Sequence, residues 1–244
     1  MKYSDKDPSK IRLQVFLSRN DVCSRRRAFD IIKEGRVILN GQICREPSTP
    51  VDPKVDHVSL DDKKIKRRKY EYILLNKPAG YTTTRADRYA KKTVIDLLPR
   101  RFQHLSPAGR LDKDTEGLLL LTNDGDIAYQ LTHPKFNVDK VYFVRILGRL
   151  AMDQRKQVER GVYIDGKKTS PAKIKNVRAL KSQTECMITI HEGRKRQIRY
   201  MFAKVGCKVI YLKRLSQGPI TLGPLKKGMY RTLTKQEINK LQKI

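Results

Sequence analysis

The chain has 244 residues, with 54 Lys and Arg against 25 Asp and Glu, a formal charge of +29 at pH 7. That length allows one large domain or two small ones around a proper core, and the charge calls for a polyanionic partner, nucleic acid before membrane. No uninterrupted apolar run is longer than Leu118 to Leu121, which excludes a bilayer-spanning segment.

The opening MKYSDKDPSK has no apolar stretch of the signal type, and residues 1–10 read as a disordered polar tail, so a cytoplasmic location is expected. Leu13, Phe16 and Leu17 then recur at helical spacing. Ser24 is placed to cap a second helix whose inward face is Ala28, Ile31 and Ile32. Arg25, Arg26 and Arg27 crowd the first turn of that helix, where cations oppose its dipole and so need another reason to be there. A strand at Val37-Ile38-Leu39 is followed by Asn40-Gly41, the pair that a tight hairpin prefers, and a second hairpin-like turn comes at Asp61-Asp62. Lys63 to Lys69 reads as a basic linker.

Residues 1–62 are nearly balanced, with 12 basic and 10 acidic side chains, whereas 70–244 hold 36 basic and 15 acidic. Beyond the linker, Tyr70 to Asn76 reads as a buried strand ended by the turn at Pro78 and Gly80. Leu118–Thr122 is a second apolar strand, and Asp124 caps a short helix reaching Leu131. Val141 to Leu147 is β-branched and aromatic, hence a strand, and Asp165-Gly166 marks a hairpin. Lys195 to Val205 reads as a helix with Ile198, Met201, Phe202 and Val205 on one face, and a last helix spans residues 234–242. The whole is α+β, strand-rich, with a mixed or antiparallel sheet.

Metal chemistry finds little support in this pattern. Cys23, Cys44, Cys186 and Cys207 form no CxxC pair, and the four histidines have no ligand spacing. Asp112, Asp114, Glu116 and Gly117 imitate the first half of a calcium loop, but its twelfth position is Asn123 and four leucines and a threonine intervene. No phosphate-binding glycine motif is present either, so any enzyme here works without metal or cofactor. Asp112 lies on the loop leading into the leucine strand, where it is either a turn aspartate bonding its own backbone or an acid facing a cleft. Arg199 borders the apolar stripe of its helix, from which its head can reach a cleft. Arg194, Lys195, Arg196, Lys204, Lys208, Lys213 and Arg214 cluster around it, with no acid between residues 194 and 214, and Arg85, Arg88, Lys91 and Lys92 form a second basic set.

The stretch RLQVFLSRNDVCSRRRAFDIIKEGRVILNGQIC resembles the S4-type RNA-binding domain. This resemblance implies that Arg25, Arg26 and Arg27 lie along an RNA backbone. AGRLDKDTEGLLLLTNDG resembles the second motif of pseudouridine synthases of the RsuA type, which modify ribosomal RNA. YILLNKPAGYTTT is similar to that family's first motif, DKVYFVRI to the strand carrying its active-site tyrosine, and HEGRKRQIRYMFAKVG with LKRLSQGPITLGPLKKGMYRTLT to its closing motifs. Together these cover roughly residues 11–234. The expected organisation is a tail at 1–10, an S4-like αα-hairpin domain at 11–62, a linker at 63–69 and a catalytic domain at 70–244.

The resemblance implies a cofactor-free isomerase that cleaves the bond from ribose to the uracil ring nitrogen, turns the base and rejoins the sugar to carbon 5. Asp112 matches the essential aspartate. It attacks the sugar as a nucleophile or removes a ribose proton to give a glycal; both roles stay open. Tyr142 matches the tyrosine that stacks on the uracil, Arg199 the basic residue that pairs with the aspartate, and Arg110 the side chain entering the space of the flipped base. Asp114 and Glu116 are left as turn and surface acids. The target base must be extruded from folded RNA, and the basic set, with Arg194, Lys195, Arg196, Lys213 and Arg214 at its centre, offsets that cost through phosphate contacts. Lys195 and Arg196 stand where the small-subunit branch more often has Tyr-His, which favours 23S ribosomal RNA or a pre-ribosomal particle as partner, bound by a monomer. The alternatives are a 16S uridine and a non-catalytic assembly factor.

Overall fold

The computed structural model describes residues 10–20, 22–66, 68–85 and 89–244. Arg88 and nearly all of the expected polar tail lie outside the described residues. The chain divides into two compact units, Met1–Tyr70 and Glu71–Ile244.

In the first unit, α1 (Leu13–Arg19) and α2 (Arg25–Lys33) close over a four-stranded sheet. Leu13, Phe16, Leu17, Ala28, Ile31 and Ile32 form its core with Val37, Val51 and Val58. The hydroxyl of Ser24 accepts the Arg27 backbone N–H at 3.2 Å, satisfying one of the helix's unpaired donors. Arg25, Arg26 and Arg27 all remain exposed, although Arg27 turns back to Glu34 at 3.3 Å. Asn40 and Gly41 take positive φ of 50° and 86° and close the hairpin between Val37–Leu39 and Gln42–Cys44.

Asp61 and Asp62 also have positive φ, and they return the chain as the strand Lys63–Lys64, paired with Val58–Leu60. The first residues of the expected linker therefore belong to the sheet, and Ile65 packs on the core of this unit. The physical reason is that a hairpin turn requires a returning strand, and lysines serve well at an exposed sheet edge.

The second unit is built on a nine-stranded sheet, counted among the described residues. Its main path runs Lys173–Ala179, Gln183–Ile190, Lys140–Leu147, Val209–Gln217, Glu116–Thr122, Tyr72–Lys77 and Tyr230–Thr232. Neighbours are antiparallel except Val209–Gln217 with Glu116–Thr122, so the sheet is mixed and the chain is α+β. The leucine run follows from this position. Leu119 and Leu121 enter one core, and Leu118 and Leu120 enter another on the opposite face. A strand covered on both sides reads as continuous apolar sequence, without alternation.

Around the sheet lie α3 (Gly125–Thr132), α4 (Met152–Arg160), α5 (Gln197–Lys204) and α6 (Lys235–Leu241). Asp124 caps α3 by accepting from the backbones of Asp126 and Ile127. The helix expected from Lys195 starts two residues later, because Arg196 adopts a left-handed φ of 52° just before it. Asp165 and Gly166 close a small separate hairpin of Tyr163–Ile164 with Lys167–Lys168.

Gly117 holds the parallel seam. Its φ is 102°, and a Cβ there would run into the backbone of Arg214 on the neighbouring strand. Gly117→Ala is expected to cost on the order of 3 kcal/mol from backbone strain and overpacking, lowering the melting temperature of this unit by roughly 6–12 °C. Gly166→Ala, with positive φ but open space around it, is expected to cost only about 1 kcal/mol, and calorimetry of the two variants separates these effects.

Candidate active site

Asp112 lies on the loop between the two-residue strand Ser106–Pro107 and Glu116–Thr122. That loop is pinned from both sides. Lys77, at the end of the strand Tyr72–Lys77, is fully buried, and its Nζ donates to the carbonyls of Thr115 at 2.8 Å, Pro78 at 3.0 Å, Asp112 at 3.1 Å and Lys113 at 3.3 Å. The hydroxyl of Thr83 donates to the Leu111 carbonyl at 2.7 Å and lies 3.2 Å from the Leu111 amide, while the Gly80 amide donates to the Lys113 carbonyl. Burial pushes the Lys77 ammonium down to about 8, against the raising influence of Asp114, Glu116 and Asp112.

So held, Asp112 lines a cavity of about 440 Å³ together with Tyr142. The apolar wall is Leu111, Ile190, Ile198 and Leu212, and the rim carries Arg110, Arg194, Lys195 and Arg196. Tyr142 is 8 % exposed and stands where the register between Lys140–Leu147 and Val209–Gln217 shifts, a bulge that re-aims side chains beside it. The size suits a base-sized ligand with part of its sugar, and a carboxylate beside an aromatic face under a basic rim suits a nucleotide.

The three acids of the calcium-like run go to three different places. Asp112 faces the cavity. Asp114 takes Arg199 at 3.1 Å and Arg196 at 3.3 Å. Glu116 is buried, not a surface acid, and meets Lys227 at 2.7 Å and the Tyr211 hydroxyl at 2.8 Å. Its carboxyl is held low by those two partners despite burial, which pulls the other way.

Arg199 is thus joined to the loop through Asp114, not through Asp112 as the resemblance implied. One terminal nitrogen also reaches the Asp114 carbonyl at 3.3 Å, and the other the Val209 carbonyl at 3.2 Å. Among the described residues no ion pair is found at the Asp112 carboxylate.

Two of the expected RNA contacts are also internal. Arg214 is 2 % exposed and its Nε donates to the Leu118 carbonyl at 2.7 Å, so it is a sheet residue. Arg194 directs its two terminal nitrogens at the carbonyls of Lys167 and Lys168, and its Nε at Glu192. Arg110 and Lys195 are exposed on the rim, and Lys213 is half-buried. Sequence reasoning missed Lys77, Thr83 and Asp114. A lysine ending a wholly buried strand was the available signal for the first; the other two form pairs across 28 and 85 residues that no local pattern records.

Comparison with known proteins gives the site its context. The family model described as RNA pseudouridylate synthase matches residues 71–204, and the one described as S4 domain matches residues 11–57. The chain is 40 % identical to a protein of Bacillus subtilis named ribosomal large subunit pseudouridine synthase B, over 95 % of each chain. It is 38 % identical to an uncharacterised RNA pseudouridine synthase of Aquifex aeolicus, covering 96 % of this chain and 94 % of that one. A crystal structure of a pseudouridylate synthase superposes with a TM-score of 0.69 at 31 % identity, covering 95 % of this chain and 99 % of that one. With these matches spanning both units, the chain belongs to the RNA pseudouridylate synthase family and carries an S4 domain at its N-terminal end.

Proposed function

We propose that this protein converts a uridine of large-subunit ribosomal RNA to pseudouridine, acting as a monomer in the cytoplasm. The observation that carries the proposal is the sharing of one basic-rimmed cavity by Asp112 and Tyr142. The choice of large-subunit RNA is supported by the name of the Bacillus subtilis relative and by Lys195 and Arg196 on the rim. Among the described residues no helix is long and apolar enough to cross a membrane.

In this reading the target nucleotide leaves its stack and its uracil lies against the Tyr142 ring. Arg110, exposed at the mouth, enters the space that the base vacates. The Asp112 carboxylate meets the sugar, either bonding to C1′ as the N1–C1′ bond breaks or taking the proton from C2′. The freed base turns and C5 bonds to C1′, either displacing the Asp112 carboxylate from that carbon or, on the glycal route, as Asp112 returns the proton to C2′; the C5 proton then leaves and N1 is protonated. No atom is gained or lost overall, so the chemistry asks for a fixed carboxylate and little else. Arg199 acts one step away by holding the loop through Asp114, and Arg25, Arg26 and Arg27 serve RNA binding in the first unit.

RNA tritiated at uracil C5 reports the reaction directly, since the label leaves as the new bond forms. Wild-type protein is expected to release label from ribosomal RNA of a strain lacking the gene, and Asp112→Asn to bind that RNA within about threefold of wild type but release none. Equal release by both proteins would overturn the assignment, and mapping the modified uridine identifies the subunit.

Lys77→Met tests the clamp. It leaves loop carbonyls without their donor, costing roughly 1–3 kcal/mol for each that stays dry. The single-turnover rate is expected to fall on the order of 100-fold, because misplacement by about an ångström has that effect, while RNA affinity changes little. A Lys77→Met protein with a wild-type rate would remove Lys77 from the positioning of Asp112.

A further inference from the structure

The hairpin of Tyr163–Ile164 and Lys167–Lys168 stands outside the nine-stranded sheet, as a two-stranded piece of its own. Its base is tightly built. The Thr169 side chain is 3 % exposed and accepts the Val162 amide, and a Cβ on Gly161 would run into the Thr169 carbonyl. The Ser170 amide donates to Glu192, which also accepts from Gln197 at the start of α5. Arg194, on the rim of the cavity, holds the carbonyls of Lys167 and Lys168 at 2.9 and 2.7 Å. The hairpin is therefore fixed to the cavity rim by its backbone and to the core by Ile164, which leaves the side chains of Tyr163, Lys167 and Lys168 for something else.

Those three side chains are open to solvent. Lys167 and Lys168 are both exposed, and no ion pair or hydrogen bond of either ammonium is found among the described residues. Tyr163 is 65 % exposed and is the cross-strand partner of Lys168, so an open aromatic face and a cation share one side of the hairpin. Lys167, next in the strand, points to the other side and faces Ile164, so the two ammonium groups flank the hairpin. A flat ring beside an ammonium matches one nucleotide, with its base stacked and its phosphate paired.

We propose that this hairpin is a second RNA-contacting element, which grips the strand flanking the target uridine through Lys167, Lys168 and the ring of Tyr163. The proposal rests on the reading of the cavity as the uridine site. It also reassigns Arg194, which positions the hairpin rather than touching RNA.

Two phosphate contacts on single-stranded RNA contribute about 1.4 to the slope of log affinity against log salt. The double variant Lys167→Ala/Lys168→Ala is expected to lower that slope by about this amount and to weaken binding on the order of tenfold at physiological salt. Lys235→Ala/Lys240→Ala removes the same charge from exposed positions on α6 and is expected to leave affinity within about twofold. In the unmutated protein, amine-reactive labelling of Lys167 and Lys168 is expected to be suppressed by bound RNA. A wild-type slope in the first variant, an equal loss in the α6 control, or labelling unaffected by RNA would each overturn the proposal. Binding is read on whichever ribosomal RNA the wild-type protein retains, so an error over the subunit does not imitate a failed hairpin.

Discussion

One buried ammonium group fixes the geometry on which the chemistry depends. Lys77 Nζ has three protons and four carbonyl oxygens within 3.3 Å, three of them on the turn that carries Asp112. Burying a cation is costly in an apolar interior, and here oriented carbonyl dipoles and the nearby acids offset part of that cost. The result is a loop fastened by its backbone, so the Asp112 side chain has no structural duty and can face the cavity. A turn held instead by its own aspartate would engage the carboxylate on which the proposed reaction relies.

The same economy governs the other charges. Asp114 absorbs Arg196 and Arg199, Glu116 absorbs Lys227, and Arg194 and Arg214 bond backbone oxygens. Not all of the positive surplus is therefore offered to RNA. The cations exposed at the cavity are fewer: Arg110 and Lys195 at the mouth, and the lysines of the hairpin beside it. Clustering of cations in sequence does not distinguish the arginines that build the cavity's surroundings from those that face outward. Arginine suits both uses, since its planar donors serve carbonyls and phosphates alike.

Features written in a few neighbouring residues were legible in the sequence. Ser24 and Asp124 cap the helices they precede, and Asn40-Gly41, Asp61-Asp62 and Asp165-Gly166 all turn with positive φ. The position of Asp112 ahead of the leucine strand was legible for the same reason. What escaped were partners distant in sequence: Thr83 on Leu111, Arg199 on Asp114, Arg214 on Leu118. The start of α5 was misjudged because Arg196 takes a left-handed conformation, uncommon for a residue with a side chain. The linker was misjudged because composition outweighed the turn in front of it, although the turn held the stronger information.

The register of the sheet explains why the separate motifs converge. Lys77 lies opposite Gly117, Gly117 opposite Arg214, and Arg214 opposite Tyr142, so one row crosses four strands. The clamp of the Asp112 loop stands at one end of this row and the cavity tyrosine at the other. Between them the parallel seam must stay close, and it does so because Gly117 has no side chain. A shift by one residue at that seam would turn Tyr142 to the opposite face relative to the loop, since side chains alternate along a strand. Gly117 thus sets the distance between carboxylate and ring without touching either, and the glycine that follows the acids is as much a part of the site's construction as the acids themselves.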